Sequence, residues 1–398
     1  MTPSIAIVSV AYNRSRSLSR QLHSLDKAHF SRPDTTLIIS IDKSDTDEVL
    51  RCAEDFRWRH GEKRVVTHER NLGLRAHMLS LGAYLREFDA IVVLEDDVTV
   101  APSFMDYAMA CVEKYRDDDR IAGISLYNYK ISHKTHHTFE AAKTQYDVYF
   151  MNLAMSWGQV WMKRQWEAFH RWYLGHNEEF HLPHIPENVN NWSAHSWLKY
   201  HIRYCMEQDK YFVYPYFSMS TNHADAGVHM QEHANMYQAS MQPFPQTEFR
   251  LPALDECPVR YDGFMEPKYL SPYVGTEDGE LCVDLLAGKP QAMWRRYLLT
   301  TRPLPYKVVR SYGLQVAPIE ANVILGTQGQ DIFLYDTTQA APAPRRQDPY
   351  RLYCHLYRKA FYDAIFILGP RRICSLLWDL ILYKCNKVFH TRFKTHIT

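Results

Sequence analysis

At 398 residues, with 46% hydrophobic and 23% charged side chains, the chain can bury one large core or two moderate ones, and its composition excludes a disordered polymer. The formal net charge of +1 supplies no strong field for nucleic acid, so no nucleic-acid partner is expected. The 27 Tyr and 9 Trp suit stacking on sugars or bases and suit a packed core equally well. Eight cysteines without a C-x-x-C pair or a His-linked zinc spacing read as reduced, mostly buried thiols of a cytoplasmic protein. The chain starts on a strand candidate, which argues against a signal peptide, and no apolar stretch reaches the roughly 18 residues of a membrane span.

In chain order, Ser4 to Val10 is β-branched and runs into the polar turn Tyr12-Asn13-Arg14, after which Leu18, Leu22 and Leu25 mark a helix. Thr36 to Ile41 is a second strand ending on Asp42, with a helix expected through Leu50 to Trp58. Arg64 to His68 is a third strand. Asn71 to Leu74 turns into a helix with Leu74, Met78, Leu81 and Leu85 on one face. The apolar run Ala90 to Leu94 then stops abruptly on three carboxylates, Glu95, Asp96 and Asp97. A helix from Pro102 to Tyr115 and a strand at Ile121 to Ser125 follow. Alternating strands and helices predict an α/β fold: a mostly parallel, Rossmann-like doubly wound sheet with flanking helices. Its strand ends would bring Arg14, Asp42, Arg70 with Asn71, and Glu95 to Asp97 to one rim. No Walker sequence or G-x-G-x-x-G occurs in this half.

Five apolar residues before Glu95 describe a strand buried on both faces, so the three acids either face water as a solvated turn or hold a cation. Strand alternation would put Glu95 and Asp97 on one side and Asp96 on the other. Oxygens at that spacing suit Mg2+ or Mn2+, which keep positions open for phosphates.

Residues 1 to about 130 resemble the nucleotide-binding half of GT-A glycosyltransferases, particularly the branch around N-acetylglucosaminyltransferase I and related bacterial family 2-like enzymes. The resemblance rests on Val10-Ala-Tyr-Asn-Arg14, on Ser40-Ile-Asp42, and on Val93 to Phe104, whose Glu-Asp-Asp is a form of the D-x-D motif. It continues at Met155 to Trp166 and at Asn222 to His229, covering about 230 residues. It implies that Asp42 hydrogen-bonds the nucleoside, that Arg14 lies beside the base or diphosphate, and that Asp96 faces the ribose or sugar. Arg75, Trp157 and Gly158 complete the implied donor site. Asp97 would ligate Mn2+ or Mg2+ with support from Glu95, and His229 is a candidate third contact. In a chain with twenty histidines, His229 can equally be structural.

Trp157, Trp161 and Trp166 are close to helix-spaced, so this segment reads both as helix packing and as the floor of a sugar site, with Gly158 letting a ligand approach the backbone. An inverting transferase needs a base for the acceptor hydroxyl. Similar proteins place an Asp just before a Trp in the segment matching Asn191 to Trp197, and this chain has no carboxylate there. His195, Glu187 and Asp225 are the candidates, with a retaining mechanism as the other option.

Four regions are expected: 1–130 as the nucleotide-sugar half, 131–250 as the acceptor half, 251–340 as a family-specific lobe, and 350–398 as a basic amphipathic helical tail. The tail from Tyr350 carries nine Lys or Arg against two Asp, interleaved with Phe361, Ile365, Leu376 and Trp378. That pattern fits either peripheral contact with an anionic membrane surface or a helical pair docked on protein. The expectation is therefore a metal-dependent, inverting glycosyltransferase of surface polysaccharide synthesis, moving a sugar from a nucleotide-sugar donor, UDP-linked above all, to a glycan or lipid-linked glycan hydroxyl. The alternative is a degenerate GT-A-like protein that binds a glycan or partner at the membrane.

Overall fold

The structure is a computed structural model that describes residues 2–32, 34–223, 237–345 and 349–358, with the single residues 369, 374 and 378. The chain divides into a compact unit over 1–345 and a second over 346–398.

The first unit begins with β1 (Ile5–Ala11), α1 (Ser15–Lys27), β2 (Leu37–Ile41), α2 (Glu48–Asp55), β3 (Lys63–Thr67), α3 (Leu74–Ser80), β4 (Ala90–Glu95), β5 (Val98–Val100) and α4 (Phe104–Tyr115). It continues with β6 (Ile121–Ser125), β7 (Val148–Met151), β8 (Gln159–Met162), α5 (Lys163–Leu174), α6 (Glu187–Asn190), α7 (Leu198–Glu207), β9 (Tyr211–Pro215), β10 (Ser220–Asn222) and β11 (Arg260–Tyr261). The last part holds α8 (Ser271–Val274), β12 (Leu281–Asp284), β13 (Tyr297–Thr300), β14 (Tyr306–Tyr312), α9 (Ala321–Ile324) and β15 (Ile332–Ala340).

A nine-stranded sheet runs in the order β11-β7-β9-β6-β8-β4-β1-β2-β3. Its β3-β2-β1-β4 side is parallel throughout, so Arg14, Asp42, His68 and Glu95 all follow carboxyl ends on one rim. Strand β8 is antiparallel to both β4 and β6, which brings the Trp157-Gly158 turn that precedes it to the same rim. The runs in β1 and β4 are apolar without alternation because both faces are covered, and Ile7, Val8, Ile91 and Val92 are fully buried. Helix α1 lays Leu18, Leu22 and Leu25 into the core, each such burial contributing about 1.5–3 kcal/mol. A separate four-stranded sheet, β12-β13-β15-β14, carries its own small cluster around Leu298, Phe333 and Tyr335.

Three expectations are corrected here. Strand β4 stops at Glu95, and Asp96 and Asp97 form a turn into β5, so strand alternation does not separate the carboxylates. The tryptophan segment is not one helix: Trp161 lies on β8 and Trp166 on α5, and the two rings stack at 4.0 Å with 10° between planes. The expected long helix after Leu74 is α3 followed by a 3-10 segment, Leu81–Arg86.

The second unit contains α10 (Pro349–Tyr357). The expected amphipathic pattern from Phe361 onward lies almost entirely outside the described residues. No helix among the described residues is long and apolar enough to cross a membrane.

Candidate active site

The turn after β4 is anchored from beneath. Gln21 on α1 accepts a short hydrogen bond from the Ser9 hydroxyl and donates through Nε2 to the Glu95 carbonyl, fixing where the acidic strand ends. Beyond the turn, β5 pairs with β10 in an antiparallel ribbon, Val98 opposite Asn222, and the His223 N–H donates to the Asp97 carbonyl at 2.7 Å.

Arg14 leaves the β1 turn and spans two of the acids. Its Nη2 pairs with Asp96 Oδ1, its Nε reaches Asp96 Oδ2 at 3.3 Å, and its Nη1 reaches Asp97 Oδ2 at 3.2 Å. Glu95 takes the other direction, accepting a hydrogen bond from the Trp197 indole. Burial of its carboxyl, with the charges of Asp97 and Asp96, pushes Glu95 up to about 8. Burial likewise lifts Asp96 to about 6, with Arg14 opposing.

Among the described residues no three His, Cys, Asp or Glu side chains converge as metal ligands. The donor chemistry still fits a hard divalent ion. Asp97 Oδ1 is shut off from solvent and has no partner, an oxygen whose burial is costly unless something binds it. An ion held by that one carboxylate, with phosphate oxygens and water completing its shell, matches how Mg2+ and Mn2+ bind nucleotides. His229 and Asp225 lie outside the described residues. His223 sits beside the turn with Nε2 against the Thr99 hydroxyl and Nδ1 unpartnered, and burial, with Arg20 nearby, brings it down to about 4.

Asp42 is a structural hub. Its Oδ1 accepts the N–H groups of Lys43 at 2.9 Å and Leu72 at 2.8 Å, and Oδ2 accepts that of Gly73 at 3.0 Å. It thereby fixes the loop that enters α3, where Gly73 adopts φ 75°. Behind it, Ser40 and His77 share a hydrogen bond of 2.7 Å, and burial, then His68, lowers His77 to about 4.

Arg75 lies in the first turn of α3. Its Nη1 donates to the Ala194 carbonyl and to the Tyr200 hydroxyl, both at 2.9 Å, and its guanidinium lies 5.1 Å from the Tyr200 ring. A second cation holds the same loop: Lys199, fully buried, donates to the carbonyls of Asn190 at 3.2 Å and Trp192 at 2.9 Å above the Phe180 ring. On this tethered loop His195 is exposed. Glu187 is exposed too and pairs with His181 at 3.5 Å.

At Gly158, with φ 98°, the place a Cβ would take is occupied by Leu126 and, at 2.9 Å, the Ser220 hydroxyl. The approach that needs glycine is made by the protein itself. Trp157 instead packs edge-on to Tyr127 at 4.9 Å. Sequence reading missed Trp197, Tyr200, Gln21 and His223. All four act through contacts distant in the chain, and only the Trp spacing before α7 offered a local signal.

The parallel side of the sheet thus gathers a carboxylate turn, an arginine and an orphaned oxygen at the carboxyl ends of its strands. Residues 6–169 match the model of Glycosyl transferase family 2. No curated protein sequence matches the chain. Solved structures similar in part include a mannosyltransferase from Pyrobaculum calidifontis in complex with GDP-Man and Mn2+, 14% identical, covering 43% of this chain and 47% of that one, with a TM-score of 0.30. S. aureus TarS 1-349 with UDP-GlcNAc is 13% identical over 57% of this chain and 60% of that one, TM-score 0.37. GalNAc-T7 with UDP, GalNAc and Mn2+ is 13% identical over 54% and 42%, TM-score 0.36. The chain thus spans less than two thirds of each of these proteins, and at such scores the likeness supports nothing beyond itself.

Proposed function

We propose that the protein is a metal-dependent, inverting glycosyltransferase that moves a sugar from a nucleotide-sugar donor, UDP-linked above all, to a glycan hydroxyl, in the setting of surface polysaccharide assembly. The observation that carries the reading is the unpartnered Asp97 Oδ1, beside Arg14 at the strand-end rim of the family 2 segment. In this reading Mn2+ or Mg2+ on Asp97 supplies positive charge to the diphosphate as it leaves. Arg14 contributes a second positive group next to that charge, and Asp96 orients the guanidinium. Asp42 keeps the loop entering α3 in shape and, in this reading, would hydrogen-bond the nucleoside.

Bond making follows from the chemistry. The acceptor oxygen attacks the anomeric carbon, the C–O bond to the diphosphate breaks with its electron pair going to phosphate, and the hydroxyl proton passes to a base. His195, on the loop tethered by Arg75 and Lys199, is our first candidate for that base, ahead of Glu187 and Asp225. A lipid-linked acceptor would pair with a basic tail on the membrane surface.

The test is nucleotide release from UDP-, GDP-, CMP- and dTDP-sugars with Mn2+ and with EDTA. Slow hydrolysis of one donor, abolished by EDTA, is the expected result and names the donor. If no donor is cleaved and calorimetry detects no metal-dependent nucleotide binding, the reading fails and a glycan-binding role takes its place.

A further inference from the structure

A cavity open to solvent lies between the segment after β6, the loop around α6 and the turn after β11. We propose that it holds a neutral pyranose ring of the acceptor, set against Tyr129, Trp192 and Phe264 and hydrogen-bonded by His133 and Asn188. This rests on the transferase reading above and gives that reading a substrate class.

Three features of the lining select the ligand. Its aromatic side chains offer flat apolar faces of the kind sugar C–H faces cover. Its polarity is uncharged: no carboxylate lines it, and its one lysine, Lys134, already donates to the Gly288 carbonyl at 2.5 Å and lies 5.7 Å from the Phe264 ring. A metal ion would find no anionic ligand here, and a phosphate would find a single amine already engaged. Finally, His133 Nε2 and Asn188 Oδ1 are buried atoms without partners, and groups of that kind are rare unless something satisfies them. Burial brings His133 down to about 4, so its ring is neutral near pH 7 and can donate to one hydroxyl while accepting from another.

Position agrees with chemistry. The His133 ring lies 5.1 Å from Tyr129 inside the cavity and 5.9 Å from Trp157 on the rim, so one aromatic wall runs from the strand ends into the cavity. The α6 loop, the Phe264 turn and Gly288 all lie beyond the family 2 segment. The cavity is therefore built largely from the parts of this chain that the general donor-binding domain does not supply.

The experiment uses the full chain and saturation-transfer NMR with methyl glucoside, galactoside and mannoside, and with methyl glucuronoside as the charged control. A Cβ at Gly288 would meet only ordinary contacts, the nearest Thr135 Cγ2 at 3.7 Å, so Gly288→Leu grows a side chain into the cavity. Trp192→Ala removes one face. The expected result is a signal from at least one neutral hexoside, abolished by Gly288→Leu, weakened at least tenfold by Trp192→Ala, and absent for the glucuronoside. Should Trp192→Ala unfold, Asn188→Ala reads the same loss. No hexoside signal, a signal indifferent to both substitutions, or preference for the glucuronoside overturns the proposal. A parent chain that binds a hexoside and hydrolyses no donor sinks the transferase reading alone, because the NMR signal reports the cavity directly.

Discussion

The two sides of the large sheet finish in different chemistry. Beyond β1, β2 and β4 the rim is built from carboxylates, an arginine and backbone N–H groups, with Arg14 stretched between Asp96 and Asp97 and Asp42 gathering three amides. Beyond β6 and before β8 it is built from rings, with Trp157 against both Tyr127 and His133, and the Trp161-Trp166 stack follows on β8 and α5. A charged rim gains little stability, because taking ions out of water offsets their attraction. Buried rings give up much apolar surface and stabilise strongly. The contrast assigns reactivity to one side and rigidity to the other.

That division is open to test. Trp161, 1% exposed and stacked on Trp166 and edge-on to Trp197, should on Trp161→Ala cost about 3–5 kcal/mol in urea unfolding. A loss below 1 kcal/mol would break the contrast from the ring side. Asp97→Asn should cut Mn2+-dependent nucleotide release by about 10²–10³-fold, the scale of losing one charge-stabilising group, while the urea midpoint hardly moves. A large fall in stability instead would make the acids structural.

The third prediction concerns pH. His201 is enclosed by Phe169, Trp197 and Phe212, and burial alone lowers it to about 3. The unfolded chain therefore binds the extra proton first, so this contribution is complete above the ordinary value of 6.5 and is lost as pH falls toward 3. Between pH 6.5 and 5 the loss is about 2 kcal/mol, and His201→Phe should flatten the stability profile by that amount. An unchanged slope would show that the ring side tolerates charge. The smallest effect belongs to Arg75→Ala, about 1 kcal/mol globally, with faster hydrogen exchange confined to 191–197. Faster exchange spread through α3 and β2 would instead place Arg75 in the scaffold.

Much of the charged side could be read before any coordinates. Ile5 to Ala11, Leu37 to Ile41 and Ala90 to Leu94 are apolar runs that end on polar residues, and parallel strands must bring such ends to one rim. What failed there was local geometry: a turn after Glu95 put Asp96 and Asp97 under one guanidinium, which period-two alternation could not foresee. The ring side was misread because tryptophans spaced four and five apart fit a helix as well as a strand followed by a helix. Arg75 against Ala194 and Trp197 against Glu95 join residues roughly a hundred positions apart, and no periodicity encodes such pairs.

The loop from 190 to 194 is held by two cations, and every carbonyl they grip, those of Asn190, Trp192 and Ala194, belongs to the main chain. Such tethers do not sense which side chains the loop carries. Lys199 and Arg75 would keep its course while the residues at 191, 193 and 195 are exchanged freely, so variants with a rewritten loop should still fold with that segment in register. A lineage, or an engineer, can change what this loop presents to a substrate without having to rediscover how to hold it in place.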